Sequence, residues 1–466
     1  MKRLSGLDAS FLYLESAAQL MHVCALIVVE PSDGYDFERF RAELRHRVEV
    51  LPAFVRRPYT TAFNPSHPVW VDDPEFDIER HVHRVGVPAP GGRGQLAEVS
   101  AHIAGQPLDR SRPLWEIWYL EGLGEGFPPG AVALLAKMHH ATVDGVTGAN
   151  LMSYLCSPDP GALPPIAERP PPAEQPGVLS MFVGGLAEVA QRPLRLAKLL
   201  PATVGLLPAW IGRARRGQAM PAPFTAPRTS LNGTITPHRA VGFARLDLDR
   251  VKQLKREYGT TVNDVVLAVC AGALRRYLAE RAELPEASLV GMVPVSLHGT
   301  GTQDGDGVNR VTGMFVALRT DIEDPVERLR AIAASNRAAK EHHRSIDARL
   351  LQDWAAFAAP TTFGLAVRAY SALRLADRHP VVYNLVISNV PGPPVPIYLL
   401  GARVVGMYPL GPVFHQAGLN ITVLSHGGQL DVGLIACRER VPELWSLADH
   451  LGPALDDLVP RVAGAG

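Results

Sequence analysis

Four cysteines in 466 residues are too few and too scattered for a disulfide framework. Cys24, Cys156, Cys270 and Cys437 lie far apart in mostly apolar surroundings, which fits reduced, buried thiols of a cytosolic protein. Net charge is just as scarce: 46 basic residues offset 46 acidic ones, so no nucleic-acid footprint is expected. Long apolar runs are missing too, none reaching the roughly 18 residues a membrane-spanning helix needs. The opening Met1-Lys2-Arg3-Leu4-Ser5-Gly6-Leu7-Asp8 meets charge and glycine before any signal-peptide core can form. These shortages together lead to the expectation of a soluble or peripheral, cytoplasmic protein.

What the chain does have is length for two ordinary domains and 47% hydrophobic residues to fill their cores. Its organising stretch runs from Leu135 to Gly148. The apolar run Ala131 to Met138 reads as one buried strand, and it ends at His139-His140-Ala141-Thr142-Val143-Asp144-Gly145 before a periodic segment, Val146 to Leu155, that reads as a helix. Side chains alternate along a strand, so His139 and His140 point to opposite sides. One can face a cavity while the other packs behind it. A neutral imidazole takes and returns a proton near pH 7, which suits a general base. Asp144 could pair with an arginine, Arg110 or Arg112 among the candidates, or orient an imidazole; Gly145 supplies the freedom of a tight turn. The pair diverges and has no third ligand at zinc spacing, so no metal is expected.

Elsewhere, strands and helices intermix. His22 to Glu30 is an apolar strand covered on both faces, and Phe37, Phe40, Leu44 and Val48 recur at helical spacing up to Pro52. The alternation in Phe76 to Val82 suggests another strand, with His81 and His83 hydrogen-bonded or in solvent. A helix is expected over about 91–105, and Trp115, Trp118 and Leu120 fit the strand after Pro113-Leu114. Proline then crowds Ser157 to Pro176, marking an exposed linker. The following segment, Leu179 to Gly217, carries six basic residues against Glu188 and could lie at a lipid interface or pack on the protein.

The second half begins near Ser230. Ala240 to Leu248 reads as a strand, Val251 to Tyr258 as a helix closed by Gly259, and the segment from Thr261 as a long buried helix capped by Thr261 or Asn263. Val290 to Val295 and Met314 to Leu318 read as strands, and Asp324 to Leu350 as a helix with His342 and His343 on its wet face. Val381 to Ile387 reads as a strand ending in Ser388-Asn389-Val390-Pro391-Gly392-Pro393, which can present polar groups at a cleft rim. A hairpin around Gly427-Gly428 and a last helix, Pro442 to Leu458, complete the chain.

His139-His140-Ala141-Thr142-Val143-Asp144-Gly145 matches the HHxxxDG signature of the acyltransferase superfamily of chloramphenicol acetyltransferase and condensation domains. With Leu4-Ser5-Gly6-Leu7-Asp8, Asn263-Asp264 and the Ser388-Asn389 motif in the right order, the chain resembles the bacterial wax ester synthase/diacylglycerol acyltransferase family over nearly its whole length. The loop near His298 departs from the family, which usually has an arginine there; the later glycine-asparagine pair appears as Val308-Asn309.

The resemblance implies a mixed α/β, chloramphenicol acetyltransferase-like fold of two subdomains with the active site in a tunnel between them. The expected division is 1–156, a crossover at 157–229, and 230–466. It further implies that His140 is the base moving a long-chain acyl group from acyl-coenzyme A to a diacylglycerol or long-chain alcohol. His139, Asp144 and Gly145 would support the motif, and Asn263, Ser388 and Asn389 would contact substrate. No cofactor is implied. The partners would be acyl-coenzyme A, a hydrophobic alcohol or diacylglycerol, and a peripheral membrane or lipid-droplet surface. Two other readings stay open: an acyltransferase fed by a carrier protein, and a non-catalytic lipid-interface protein.

Overall fold

The histidine strand, Val132–His139, is the third strand of a seven-stranded sheet. Its neighbours are Trp115–Glu121 on one side and His22–Glu30 on the other, both antiparallel. The computed structural model describes residues 2–31, 34–60, 67–142, 154–160, 177, 201, 208, 210–296, 311–345 and 360–459. The expected Val146 to Leu155 helix, the proline-rich linker and the basic Leu179 to Gly217 segment lie largely outside the described residues.

Apart from Lys137, whose buried ammonium pairs with Glu116 at 2.8 Å, the strand is apolar on both faces because both are covered. Leu134 and Met138 pack with Ile27, Phe40 and Leu44, the last two from the helix Phe37–Val48. Ala133 and Leu135 pack the other way, with Leu26, Val28 and Leu96 of the helix Arg93–Ala104, and with Val241 and Phe243 from the second half. That shared cluster joins the seven-stranded sheet to a six-stranded one in the order Val311–Ala317, Val290–Ser296, Leu385–Val390, Leu419–His426, Gln429–Cys437, Arg239–Asp247.

The two sheets do not follow the two halves of the chain. Ala402–Leu410, late in the sequence, pairs antiparallel with His22–Glu30, one strand from the histidines. A register shift between Val404 and Gly406 marks where this crossover strand bends. There the fully buried Asp431 accepts the Met407 amide at 2.8 Å and holds the Arg245 guanidinium at 2.9 Å, so one carboxylate ties both sheets. Burial pushes the Asp431 carboxyl up against the pull of Arg245. The sheets approach so closely that a Cβ on Gly433 would stand 2.0 Å from the Pro409 carbonyl oxygen.

The helix Val262–Glu280 is buried nearly all round and packs against Pro325–Ser345 and Leu451–Asp456. Thr261, not Asn263, is its cap: its hydroxyl accepts the Asp264 amide at 3.2 Å, and Asp264 accepts the Thr261 amide at 2.9 Å. Leu419–His426 and Gln429–Cys437 form the expected hairpin, with Gly427 and Gly428 at φ of 52° and 85°.

Several expectations give way. Phe76 to Val82 is not one strand; Ile78–Arg80 forms a 3-10 turn capped by Asp77, whose carboxylate accepts the Glu79 amide. Local capping there outcompetes the alternating pattern. Pro52 starts a short helix, Pro52–Val55, as proline favours the first turn. His342 is buried against Trp210, with ring centroids 5.3 Å apart, so it leaves the wet face of its helix. The strand expected over Val381 to Ile387 is displaced to Leu385–Val390 and takes in Ser388 and Asn389, because parallel pairing with Asn420 to Leu424 sets its bounds. The last helix is broken into Leu444–Asp449 and Leu451–Asp456, with Pro453 in the first turn of the second piece.

Candidate active site

Four segments converge on the end of the histidine strand. The first helix, Gly6–Leu14, is capped by Ser5, whose hydroxyl accepts the Asp8 amide at 3.1 Å. It delivers Phe11 to the His140 ring, with centroids 4.3 Å apart and planes 32° apart. The loop after it is pinned by buried Gln19, which donates to the Leu14 carbonyl and accepts the His415 amide at 2.9 Å from the far half of the chain. His22 then opens the next strand directly opposite His139. The fourth segment is the turn carrying Arg110, whose guanidinium donates to the Leu12 carbonyl at 2.8 Å.

The paired histidines take separate directions. His139 is 1% exposed, and its Nδ1 accepts the Ala141 amide at 3.0 Å. That acceptor role places the proton on Nε2, which makes an oblique 2.8 Å approach to the Glu15 carboxylate. His140 leaves the strand at a turn, its amide donating to the Met21 carbonyl at 2.8 Å. Its Nδ1 is buried with no hydrogen-bond partner among the described residues. Burial pushes the His140 imidazole down to about 4, its own backbone carbonyl opposing and His139 adding to the fall. Near neutral pH it is uncharged.

Glu15 is the hub of the buried charge. Burial on its own would raise its pKa, but the contact with His139 and the charges of His139, Arg110 and His22 outweigh it and hold the carboxyl at about 2. Arg110 reaches it at 3.3 Å, His22 at 3.9 Å and the Met21 amide at 3.4 Å. Burial holds His22 down to about 3 against the pull of Glu15, and neither of its ring nitrogens has a hydrogen-bond partner among the described residues. Burial likewise lowers His139, with Glu15 opposing.

The other candidates are placed elsewhere. Asp144 and Gly145 lie outside the described residues. Arg110 pairs with Glu15, and Arg112 with Asp109 at 3.2 Å. Asp264 is committed to Thr261 and to Asn336, which donates to its second oxygen at 2.5 Å. Asn263 is half-buried beside it, in the first turn of its helix. Ser388 and Asn389, also half-buried, stand opposite Thr422 and Val423 just before exposed Val390. Among the described residues, none of Asn263, Ser388 and Asn389 touches His140 through a hydrogen bond or a ring contact.

Glu15 and His22 are the residues that sequence reasoning passed over. His22 could have been found by pairing the two apolar strands antiparallel, since the register sets it against His139. Glu15 offers no periodic signal; only the fold brings it under the histidines.

Comparison with known proteins shows the family and the fold. Residues 4–266 match the wax ester synthase/diacylglycerol acyltransferase catalytic domain, and residues 308–459 the C-terminal domain of the same family. A Mycobacterium tuberculosis H37Rv protein named as a diacylglycerol O-acyltransferase is 47% identical over 465 residues, spanning 98% of this chain and 90% of the relative. Another from the same strain, also so named, is 36% identical, with 98% of each chain covered. The wax ester synthase/diacylglycerol acyltransferase of Marinobacter aquaeolei VT8 superposes with a TM-score of 0.71 at 30% identity, covering 98% of both chains. The first condensation domain of the calcium-dependent antibiotic synthetase shares the fold, with a TM-score of 0.56 at 14% identity over 100% of this chain and 99% of that one. The chain is an acyltransferase and belongs to the wax ester synthase/diacylglycerol acyltransferase family.

Proposed function

We propose that the protein moves a long-chain acyl group from acyl-coenzyme A to the hydroxyl of a diacylglycerol, a long-chain alcohol, or both, with His140 as general base. The observation that carries this reading is the placement of the His140 ring at the exit of the histidine strand, 4.3 Å from the Phe11 ring, where burial holds its imidazole down. An alcohol oxygen is a poor nucleophile until its proton is taken. As that oxygen closes on the thioester carbonyl, His140 accepts the proton, and the oxyanion forming nearby offsets the charge of the imidazolium. Collapse of the tetrahedral intermediate breaks the carbon–sulfur bond, and the imidazolium returns its proton to the departing sulfur. No covalent acyl-enzyme is needed.

In this reading Asp144 and Gly145 support the motif, while Asn263, Ser388 and Asn389 position substrate. Each methylene buried from water stabilises by about 0.8 kcal/mol, which favours long chains on both donor and acceptor. A peripheral lipid surface as the place of work fits substrates that partition there.

Product analysis tests the choice of acceptor. Purified protein given radiolabelled palmitoyl-coenzyme A with dioleoylglycerol or hexadecanol is expected to yield triacylglycerol, wax ester or both. Labelled product from neither acceptor, with activity appearing only on acyl groups loaded on a carrier protein, would replace this donor assignment.

A further inference from the structure

We infer that Glu15 is a positioning residue for the acyl transfer: its carboxylate, gripped by Arg110, fixes His139 as the Nε2–H tautomer and so sets the turn that presents His140. The inference rests on the His140 base assignment and adds a residue to it.

The geometry runs through one carboxylate. Glu15 closes the first helix, and its side chain is 8% exposed. One oxygen, Oε2, faces the His139 Nε2 at 2.8 Å, while Arg110 approaches the other, Oε1, at 3.3 Å. The same Arg110 side chain donates to the Leu12 carbonyl, so the arginine turn, the helix end and the histidine strand are drawn to one point. On the opposite edge of its ring, His139 accepts the Ala141 amide, the first amide beyond His140. One tautomer suits both edges: Nδ1 bare for the Ala141 amide, and Nε2–H on the side of the Glu15 carboxylate, close to it but off the hydrogen-bond line.

Reversing that tautomer would set a proton against the Ala141 N–H and a lone pair against a carboxylate, two repulsive contacts in place of two attractive ones. The segment that would yield is His139 to Ala141, and His140 is its middle residue. Glu15 itself touches no reacting atom. The adjoining His22 lies 3.9 Å from the carboxylate and competes weakly for it, which leaves the shorter contact to His139.

The test uses the full chain with Glu15→Gln, which keeps an oxygen acceptor but loses the charge, and Glu15→Ala, which loses both. Nitrogen-15 labelled histidine spectra report the His139 tautomer, assigned by loss of its signals in His139→Gln. Coenzyme A release from palmitoyl-coenzyme A separates kcat from KM. Wild-type protein is expected to show the Nε2–H pattern. Glu15→Ala should shift it toward a tautomer mixture and lower kcat on the order of 10- to 100-fold, the loss seen when the partner behind a metal-ligating histidine is removed. KM for the donor should stay within about two-fold. Glu15→Gln should recover both the tautomer and most of kcat.

An unchanged tautomer in Glu15→Ala would overturn the inference, as would equal loss of kcat in both variants accompanied only by a lower Tm. Should Glu15→Ala fail to fold, Glu15→Gln and Arg110→Met decide it: wild-type kcat in both would overturn it, whereas a lower kcat in Arg110→Met with the tautomer kept in Glu15→Gln supports it. The tautomer spectra stand apart from turnover. An inactive wild type, or an active His140→Ala, would therefore fail the base assignment without deciding what Glu15 does to His139.

Discussion

His140 sits where burial, rather than a charged neighbour, sets its protonation, and this has a direct kinetic consequence. An imidazole held down to about 4 is ready to accept a proton at any pH above that value. The acid limb of kcat/KM is therefore expected near pH 4, well below the ordinary histidine value of 6.5. A profile falling off at pH 6 to 7 would show that burial does not hold the substrate-free His140 imidazole down. Of the site at this scale, His139 and His140 were legible because two histidines at the exit of an apolar strand, a few residues ahead of an aspartate-glycine pair, break the expected composition of a core. Glu15 was not, since a carboxylate ending a short helix reads as a solvent group until a second element folds over it. Asn263 read as a cap candidate, but Thr261 takes that position because its hydroxyl and Asp264 complete a reciprocal pair.

The element that departs most from a linear reading is the crossover strand, Ala402–Leu410, which joins the sheet of the other half. No periodicity announces it, because an apolar strand carries no mark of its partner. Gly433 is one point where the two sheets approach most closely, and even a methyl there would meet the Pro409 carbonyl oxygen at 2.0 Å. Gly433→Ala should therefore destabilise by about 1–3 kcal/mol as the backbones are forced apart. Denaturant unfolding measures it, and an unchanged midpoint would mean that the strands separate freely. By contrast, His22–Glu30 and the helix over Phe37–Val48 were legible nearly to the residue, as long apolar or strongly periodic runs should be. The misplaced strand near Ser388 shows the limit. Polar residues were taken as its end, whereas pairing with Asn420 to Leu424 carries the strand through them.

For the molecule as a whole, imidazoles held uncharged by their surroundings and one buried carboxylate make the fold acid-sensitive. His22, His140 and His415 are held down to about 3, 4 and 4 in the folded protein, against 6.5 for an ordinary histidine. Below pH 6.5 the unfolded chain binds protons these sites refuse, so their contribution is fully present above 6.5 and is lost as pH falls toward 4 and 3. Glu15 acts later in the same direction: its contribution is present above 4.5 and disappears as pH approaches 2. Thermal unfolding should show Tm declining steadily from about pH 6.5 to pH 3. A Tm constant across that range would mean that these side chains reach solvent in the folded state. The mixed α/β class and the family were legible from motif order, while the interlocking of the sheets came only with the structure.

The measurement that bears most directly on the proposed chemistry is release of coenzyme A thiol from palmitoyl-coenzyme A, with dioleoylglycerol or hexadecanol added separately, for wild type beside His140→Ala. Acceptor-dependent release should appear with the wild type and fall by roughly 10²- to 10⁴-fold in the variant, the usual contribution of a positioned base, while its Tm remains near that of the wild type. A folded His140→Ala protein that turns over at the wild-type rate would contradict His140 as the base.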